Sequence, residues 1–203
     1  MNEDKILEKY GNASYVVDQD TFHMGIHHLI SDHIAKRFEK FDVVLDACAG
    51  AGFMAIVIAK HVTKVIAVDV DKNHLSQAKI NAEIDLLNNK ITFIEGDVLE
   101  KLKEISKFDA AFLDPDWARP GEDKAIHVHE LSDMVPSGQI LFDEVFKTTN
   151  NICLRLPKEF DTLKLKSFPP HEVQSVYQDN KLKFFCVYFG GLINEVGETE
   201  FKV

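Results

Sequence analysis

The sequence has few of the features that mark disulfide-rich or membrane proteins. Its three cysteines, Cys48, Cys153 and Cys186, are odd in number and far apart, and no CxxC pair suggests a zinc site or a redox couple. We therefore expect reduced, mostly buried thiols. No run approaches the roughly 18 apolar residues that a membrane span requires, and the N-terminus MNEDKILEKY is charged where a signal peptide would be apolar. These absences predict a cytoplasmic protein without membrane contact.

Positive charge is also scarce. Lys and Arg total 23 against 33 Asp and Glu, which gives a formal net charge of −10. Such a balance argues against broad, non-specific adhesion to nucleic acid, although it leaves room for a local basic groove. A modest basic region of Arg155, Lys158, Lys164 and Lys166 is more typical of a solvated face. The nine histidines show no HExxH spacing, so we expect no metal site.

What the chain does contain is an alternation of short β-rich runs with helical stretches over most of its 203 residues. The predicted strands are 42–47, 64–69, 91–95, 109–114 and 151–156, and the predicted helices are 26–38, 53–60, 72–86, 98–105 and 137–147. Such alternation indicates βαβ units and a buried parallel sheet. Residues 171–177 and 181–189 predict an antiparallel hairpin. The sequence thus predicts an N-terminal arm at 1–25 and one α/β domain at 26–203, with seven strands.

A glycine-containing turn follows the first predicted strand, in Asp46-Ala-Cys-Ala-Gly50-Ala-Gly52. Glycines there let a ligand approach the backbone, and the next helix offers free N–H groups. The GxG spacing lacks the third glycine of a dinucleotide fingerprint, so a purely structural turn is the alternative. The next acidic strand end is Asp69, whose carboxylate can accept hydrogen bonds from both ribose hydroxyls, whereas Asp71 is more typical of a helix cap.

A third acidic position, Asp97, follows the third predicted strand in Gly96-Asp97-Val98. Its carboxylate can accept from an adenine amine, or it can cap the next helix. Three acidic strand ends beside a glycine turn fit an adenosine ligand at the carboxyl edge of the sheet. Because carboxylates would repel a diphosphate, we favour a nucleoside without phosphate over NAD, such as S-adenosylmethionine, whose sulfonium is cationic.

The fourth predicted strand ends in Asp114-Pro-Asp-Trp117-Ala-Arg-Pro120. A carboxylate, a rigid proline turn and an aromatic ring at this edge can together bind a planar amine and stack on its ring. The alternative is structural, with Trp117 capping the core and Asp114 closing a turn.

With these motifs, the chain resembles the trimethylguanosine synthase family of class I S-adenosylmethionine-dependent methyltransferases, which methylates the exocyclic N2 of guanosine in RNA caps. The resemblance covers about residues 15 to 193. The segments that carry it are Thr21-Phe-His-Met, Asp32-His-Ile-Ala35, Asn81-Ala82, Thr149-Asn-Asn-Ile-Cys-Leu-Arg-Leu-Pro157 and Asn180-Lys-Leu-Lys-Phe-Phe-Cys-Val-Tyr-Phe-Gly190. It implies a Rossmann-like three-layer sandwich whose mostly parallel, seven-stranded sheet has an antiparallel last strand.

The resemblance also implies a role for each matched residue. The cofactor residues would be Asp46, Ala47, Gly50 and Gly52 at the methionine end, Asp69 and Val70 at the ribose, and Asp97 and Val98 at the adenine. Asp114, Pro115 and Trp117 would be catalytic, because they match the family signature [DNS]-P-P-W-G-G-P. Asp116, Arg119 and Pro120 would contact the substrate.

This chain departs from that signature. Asp116 replaces the second proline, so we expect a loop that is less constrained at 116, and Ala118 and Arg119 replace both glycines. Phe22 is the candidate for a second aromatic that stacks on a cationic 7-methylguanine, or it is a hydrophobic staple for the helix that follows.

We therefore expect an S-adenosylmethionine-dependent enzyme that N-methylates the exocyclic amine of guanine in RNA. The alternatives are transfer to another RNA base or to a small heterocycle, and a non-catalytic module that binds S-adenosylmethionine. The partner would be RNA or a small-molecule acceptor, and nothing in the sequence predicts an oligomeric state.

Overall fold

The structure, a computed structural model, describes residues 2–117 and 128–203. The chain forms two compact units, Met1–Asp109 and Ala110–Val203, which we describe in turn. In the part of the chain described, no helix has the length and apolar character needed to cross a membrane.

The first unit is built from parallel strands and the helices between them. Its elements are α1 (Glu3–Tyr10), α2 (Gln19–Met24), α3 (His28–Lys36), β1 (Val43–Asp46), α4 (Phe53–Ala59), β2 (Lys64–Asp69), α5 (Lys72–Ile84), β3 (Ile91–Glu95) and α6 (Val98–Lys101). The strands lie in the order β3-β2-β1, and both pairings are parallel, which confirms the predicted βαβ units. Helix α4 packs on these strands and is buried at six of its seven positions, as expected for a helix that is apolar on all sides.

The N-terminal residues fold onto the same unit. The predicted N-terminal arm contains two short helices, and Asp18 forms a capping box with Thr21 at the start of the second, α2. Tyr10 and Tyr15 are buried, and the Tyr10 ring stacks on Phe53 with a centroid distance of 3.8 Å. These contacts place the N-terminal residues in an aromatic cluster that adjoins the start of α4.

The second unit combines parallel and antiparallel pairing. It contains β4 (Ala110–Leu113), α7 (Gly138–Phe146), β5 (Ile152–Pro157), β6 (His171–Gln178), β7 (Lys181–Phe189) and β8 (Gly197–Lys202), in the strand order β4-β5-β7-β6-β8. Strand β7 is antiparallel to both β5 and β6, which confirms the predicted hairpin. Its turn places Asp179 and Asn180 at positive φ, as a tight hairpin turn requires.

Strand β8 is an element that the sequence analysis did not predict. It pairs in parallel with β6, and its polar sequence GETEFK leaves it largely exposed. A buried carboxylate, Glu172, contacts this strand and the residues just before it. It accepts hydrogen bonds from the Asn194 amide at 2.9 Å and the Thr199 hydroxyl at 2.7 Å. Backbone pairing and this carboxylate, rather than an apolar face, therefore hold the strand.

None of the three cysteines forms a disulfide. Cys153 and Cys186 are buried and Cys48 is half-buried, which confirms the expected thiols. Within residues 2–117 and 128–203, no three His, Cys, Asp or Glu side chains come together as metal ligands.

Candidate functional site

The glycine turn at the end of β1 uses its two glycines differently. Gly50 and Gly52 have φ of 52° and 79°, a region that side chains disfavour. A Cβ at Gly52 would lie 2.7 Å from the Cβ of Ala78, so this glycine permits close packing against α5. A Cβ at Gly50 would meet nothing within 4 Å. Gly52 therefore has a packing role, whereas the backbone at Gly50 borders open space that a ligand can enter.

The carboxylate of Asp69 is fixed beside this turn. The Gly50 amide donates to its Oδ2 at 2.7 Å, and the Asp71 amide donates to its Oδ1 at 2.8 Å. The Gly96 amide donates to the backbone carbonyl of Asp69 at 2.9 Å. These hydrogen bonds bring together the carboxyl ends of the first three strands. Because an ionised carboxylate has about four acceptor sites, Asp69 can still accept two hydroxyl donors.

His74, on the first turn of α5, supports the same carboxylate. Its Nδ1 lies 3.7 Å from Oδ1 of Asp69. Burial raises the pKa of Asp69, but the nearby His74 and the amides of Asp71 and Gly50 outweigh it and hold this pKa below its usual value. In turn, Asp69 first, then Asp71 and Asp18, raise the pKa of His74. His74 is not among the site residues predicted from the sequence, although it lies only five residues after the proposed ribose carboxylate.

The remaining cofactor candidates differ in exposure. Asp46 and Ala47 are buried, whereas Val70 is 74% exposed. Asp97 is exposed, and its Oδ1 accepts from the Leu99 amide at 2.9 Å, so it caps α6. Asp71 likewise caps α5, as predicted. Val98 is buried behind the Asp97 cap.

Asn81 is a further residue that the sequence analysis noted without a role. Its side chain is fully buried, accepts from the Val16 amide at 2.7 Å and donates to the Val16 carbonyl at 3.0 Å. It also donates to the Ala51 carbonyl at 3.2 Å. Asn81 therefore ties the N-terminal segment to the glycine turn.

Phe22, the candidate second aromatic, lies within the N-terminal cluster. Its ring meets Tyr10 edge to face at a centroid distance of 6.0 Å, and the Lys9 ammonium is 4.7 Å from its centroid. Lys9 also donates to the Phe22 carbonyl. Phe22 thus keeps a partly exposed ring next to a cation.

In the second unit, the loop after β4 is paired with a later part of the chain. Asp116 and Val135 form a backbone bridge in which the Asp116 amide donates at 2.9 Å and the Val135 amide donates back at 3.0 Å. A proline at 116 has no N–H and would lose the first of these bonds. Two backbone hydrogen bonds therefore hold the loop at Asp116, where a proline would restrict it through its ring. Arg119 and Pro120 lie outside the described residues.

The same loop places Asp114 and Trp117 around one cation, Arg155. A guanidinium N–H of Arg155 donates to Oδ2 of Asp114 at 2.7 Å. The guanidinium carbon lies 4.4 Å from the centroid of the Trp117 ring and 4.4 Å from that of Phe184. Burial raises the pKa of Asp114, while the charge of Arg155 acts in the opposite direction and nearby Asp116 adds to the rise.

The position of Arg155 corrects its assignment to a solvated basic region. It is only 9% exposed, whereas Lys158, Lys164 and Lys166 are exposed. A signal for this was present in the sequence. Arg155 stands alone among apolar residues in a strand that is buried throughout, and a buried charge needs a partner.

Comparisons with known proteins agree on family and fold. Residues 41–192 match the family described as RNA cap guanine-N2 methyltransferase. The trimethylguanosine synthase of Schizosaccharomyces pombe is 26% identical over 209 residues, which cover 91% of this chain and 86% of that protein. An uncharacterized RNA methyltransferase from Synechocystis is 29% identical over 53% of this chain, which spans about a quarter (24%) of that relative.

Solved structures show the same fold at low identity. A methyltransferase structure from Porphyromonas gingivalis W83 superposes with a TM-score of 0.75 and 19% identity, over 95% of this chain and 48% of that one. An O-methyltransferase from Bacillus cereus, solved in complex with SAH, gives a TM-score of 0.55 and 13% identity, over 87% and 83% of the two chains. These likenesses confirm the predicted Rossmann-like α/β fold. The described residues contain eight strands, where the sequence predicts seven.

Proposed function

Because the chain belongs to the RNA cap guanine-N2 methyltransferase family, we propose that this S-adenosylmethionine-dependent methyltransferase methylates the exocyclic amine of guanine in RNA. The observation that carries the proposal is that the matched residues 41–192 include both the glycine turn and the Asp114–Trp117 loop. Every cofactor residue that we assign lies in the first unit, and Asp114 and Trp117 lie in the second.

The residues of the first unit fit an adenosine-bearing donor. The open space at Gly50 and the spare acceptor sites of Asp69 suit a ligand with two ribose hydroxyls. We assign Gly50 and Gly52 with Asp46 and Ala47 to the methionine end, Asp69 and Val70 to the ribose, and Asp97 and Val98 to the adenine. When bound, S-adenosylmethionine supplies an activated methyl group on a good leaving group, so that the protein mainly aligns and desolvates the reactants.

The residues of the second unit suit a planar aromatic amine. Such an amine is a poor nucleophile because its lone pair is delocalised into the ring. Oδ2 of Asp114 is bonded to Arg155, and we assign Oδ1 to accept an amine N–H, which favours the pyramidal geometry of attack. The amine must also lose a proton on methylation, and we assign this carboxylate as the acceptor. Trp117 would stack on the base, and Pro115 would hold the turn.

Four further residues are proposed as substrate contacts. Phe22 is proposed as the second aromatic, and the adjacent Lys9 would reinforce attraction to an anionic RNA rather than to a cationic base. Asp116, Arg119 and Pro120 are proposed to contact the acceptor. We propose the reducing cytoplasm as the compartment, and the three cysteines that form no disulfide agree with it.

The experiment that tests this function is transfer of a labelled methyl group from S-adenosylmethionine to three acceptors: total small RNA, a 7-methylguanosine cap dinucleotide and the unmethylated guanosine cap dinucleotide. Asp114→Asn removes the charge at nearly constant shape. Asp143→Asn is the matched control, because Asp143 is an exposed carboxylate of α7 that bonds only to Gln139 among the contacts seen here.

Label in a cap dinucleotide that disappears in Asp114→Asn and persists in Asp143→Asn would support cap guanine-N2 methylation. Label in RNA alone would replace it with methylation of an internal base. Label in none of the three, with the cofactor still bound in calorimetry, would contradict the proposal and favour a small heterocyclic acceptor or a non-catalytic module.

A further inference from the structure

Arg155 occupies a position where a charge is costly. It lies in the middle of β5, and all six residues of that strand are buried. Its cross-strand neighbour on β7 is Cys186, which is also fully buried. A cation in such surroundings is retained only where its partners offset the lost hydration.

The partners of Arg155 include two residues of the loop after β4. Asp114 accepts a hydrogen bond from the guanidinium, and the ring of Trp117 lies 4.4 Å from the guanidinium carbon. Phe184, 4% exposed on β7, lies at the same 4.4 Å distance from that carbon. The guanidinium therefore packs against two aromatic rings while its edge bonds to a carboxylate. Arg is suited to this combination, because its planar group can stack and donate at once.

These contacts link the two residues to which we assign the acceptor amine. We propose that Arg155 is a positioning residue that holds the carboxylate of Asp114 and the ring of Trp117 in the arrangement used for the acceptor. The part that concerns acceptor chemistry rests on the proposed function, whereas the hold on Trp117 does not. Arg155 does not touch the reacting atoms in this account, since its guanidinium is engaged by Asp114, Trp117 and Phe184.

Two consequences distinguish positioning from a merely structural role. Burial and Asp116 disfavour the ionised form of Asp114, whereas the charge of Arg155 favours it. Loss of Arg155 therefore raises the pKa of Asp114 further, so that this side chain becomes an acceptor only at higher pH. The stack restricts the ring of Trp117, so its loss exposes the indole to solvent. The first consequence follows from charge and the second from planar packing, and they can be separated by substitution.

Trp117 provides a direct optical readout, because it is the single tryptophan of the chain. We would measure acrylamide quenching of its fluorescence, S-adenosylmethionine affinity by calorimetry, and the pH profile of methyl transfer. The variants are Arg155→Met, which removes the charge at similar length, and Arg155→Lys, which keeps the charge without a planar group. Lys158→Met is the matched control for loss of a cation, because Lys158 is exposed.

For Arg155→Met we expect quenching of Trp117 to rise about twofold or more, as a lost cation–π stack frees the ring. We expect kcat to fall about tenfold or more and its acid limb to move to higher pH, with cofactor affinity unchanged within about twofold. Arg155→Lys should restore the position of the acid limb but not the low quenching. Lys158→Met should match the wild type in all three measurements.

Phe184→Leu is the second variant, in case Arg155→Met does not fold. It removes one ring and leaves the ion pair, so quenching should rise without movement of the acid limb. Unchanged quenching and an unchanged pH profile in a variant that binds cofactor normally would overturn the proposal. If the wild type methylates no acceptor but quenching still rises in Arg155→Met, the proposed function fails and the positioning of Trp117 stands.

Discussion

Replacing Asp69 by Asn should weaken cofactor binding by an amount that the structure allows us to work out. Each carboxylate oxygen already accepts one backbone N–H, from Gly50 and from Asp71. An asparagine has a single acceptor oxygen, so one of these amides would face an NH2 group. The variant therefore loses its charged acceptor for the ribose and also disturbs the glycine turn.

A hydrogen bond to a charged group contributes about 1.5–3 kcal/mol, and tenfold in affinity corresponds to about 1.4 kcal/mol. Loss of the charged acceptor alone should thus raise the Kd for S-adenosylmethionine about 10- to 100-fold. The mismatch with a backbone amide adds to this value, so the lower end of the range is a minimum expectation. The assay is isothermal titration calorimetry of the purified chain with S-adenosylmethionine.

Two comparisons make this measurement decisive. Trp117→Phe, which alters the proposed acceptor stack, should leave the Kd unchanged, and Asp143→Asn should do the same for a neutralised carboxylate on the surface. An Asp69→Asn variant that is folded and binds S-adenosylmethionine within about twofold of the wild type would refute the ribose assignment, since even one lost charged hydrogen bond exceeds that change.

The other predictions concern the surroundings of the two sites. The pKa of His74 in the folded protein is raised above its ordinary value of 6.5. Its ion pair with Asp69 therefore stabilises the fold fully below about pH 6.5, and this contribution is lost as the pH rises through the folded pKa. Urea unfolding should show that His74→Gln costs more stability at pH 5.5 than at pH 9, and an equal cost at both would contradict the ion pair. Asp116→Pro removes the backbone N–H that bonds to Val135 and should lower the stability by about 0.5–1.5 kcal/mol. Asp116→Ala keeps this N–H and should not lower it. Equal melting temperatures for the two variants would count against the bridge. Gly52→Ala places a Cβ 2.7 Å from the Cβ of Ala78 at positive φ, so overpacking should lower stability by about 1–3 kcal/mol in addition to backbone strain. Gly50→Ala should lower stability only through that strain, but it should weaken cofactor binding. If thermal melts show Gly50→Ala to be the less stable variant, the two roles are misassigned.

The parallel strands could be predicted because their burial leaves a direct trace in composition. Runs such as residues 64–69 are apolar and β-branched, and the observed strand β2 has the same bounds. Strand β8 leaves no such trace, because Phe201 is its only large apolar residue and its pairing with β6 is a backbone interaction. Helix α6 ends at Lys101 rather than at the predicted Ile105, which shows how poorly periodicity alone fixes the end of a helix.

The candidate site residues also divide into those that the sequence predicts and those that it does not. Asp69 could be predicted as an acceptor from its place at a strand end, and the structure adds the amides that orient it. The role of Arg155 could not be worked out from spacing, since Asp114 lies 41 positions away and the link exists only once β5 is in place. The backbone pairing of Asp116 with Val135 could not be predicted either, because nearly every residue type carries a backbone N–H and the amino-acid sequence does not show which of them pair.

The two carboxylates at the centre of the proposal have pKa values that are shifted in opposite directions, and this difference suits the tasks that we propose for them. Asp69 is surrounded by two amide donors and His74, and its pKa is lowered, so it remains an acceptor under all conditions in which the protein is folded near neutral pH. Burial and nearby Asp116 raise the pKa of Asp114, and the positive charge of Arg155 opposes this rise. A carboxylate with a raised pKa is also the better proton acceptor, as required of the group that takes the proton from a methylated amine. Under the proposed function, Asp69 would be a permanent anchor in one unit and Asp114 a base in the other, with a pKa that Arg155 would adjust.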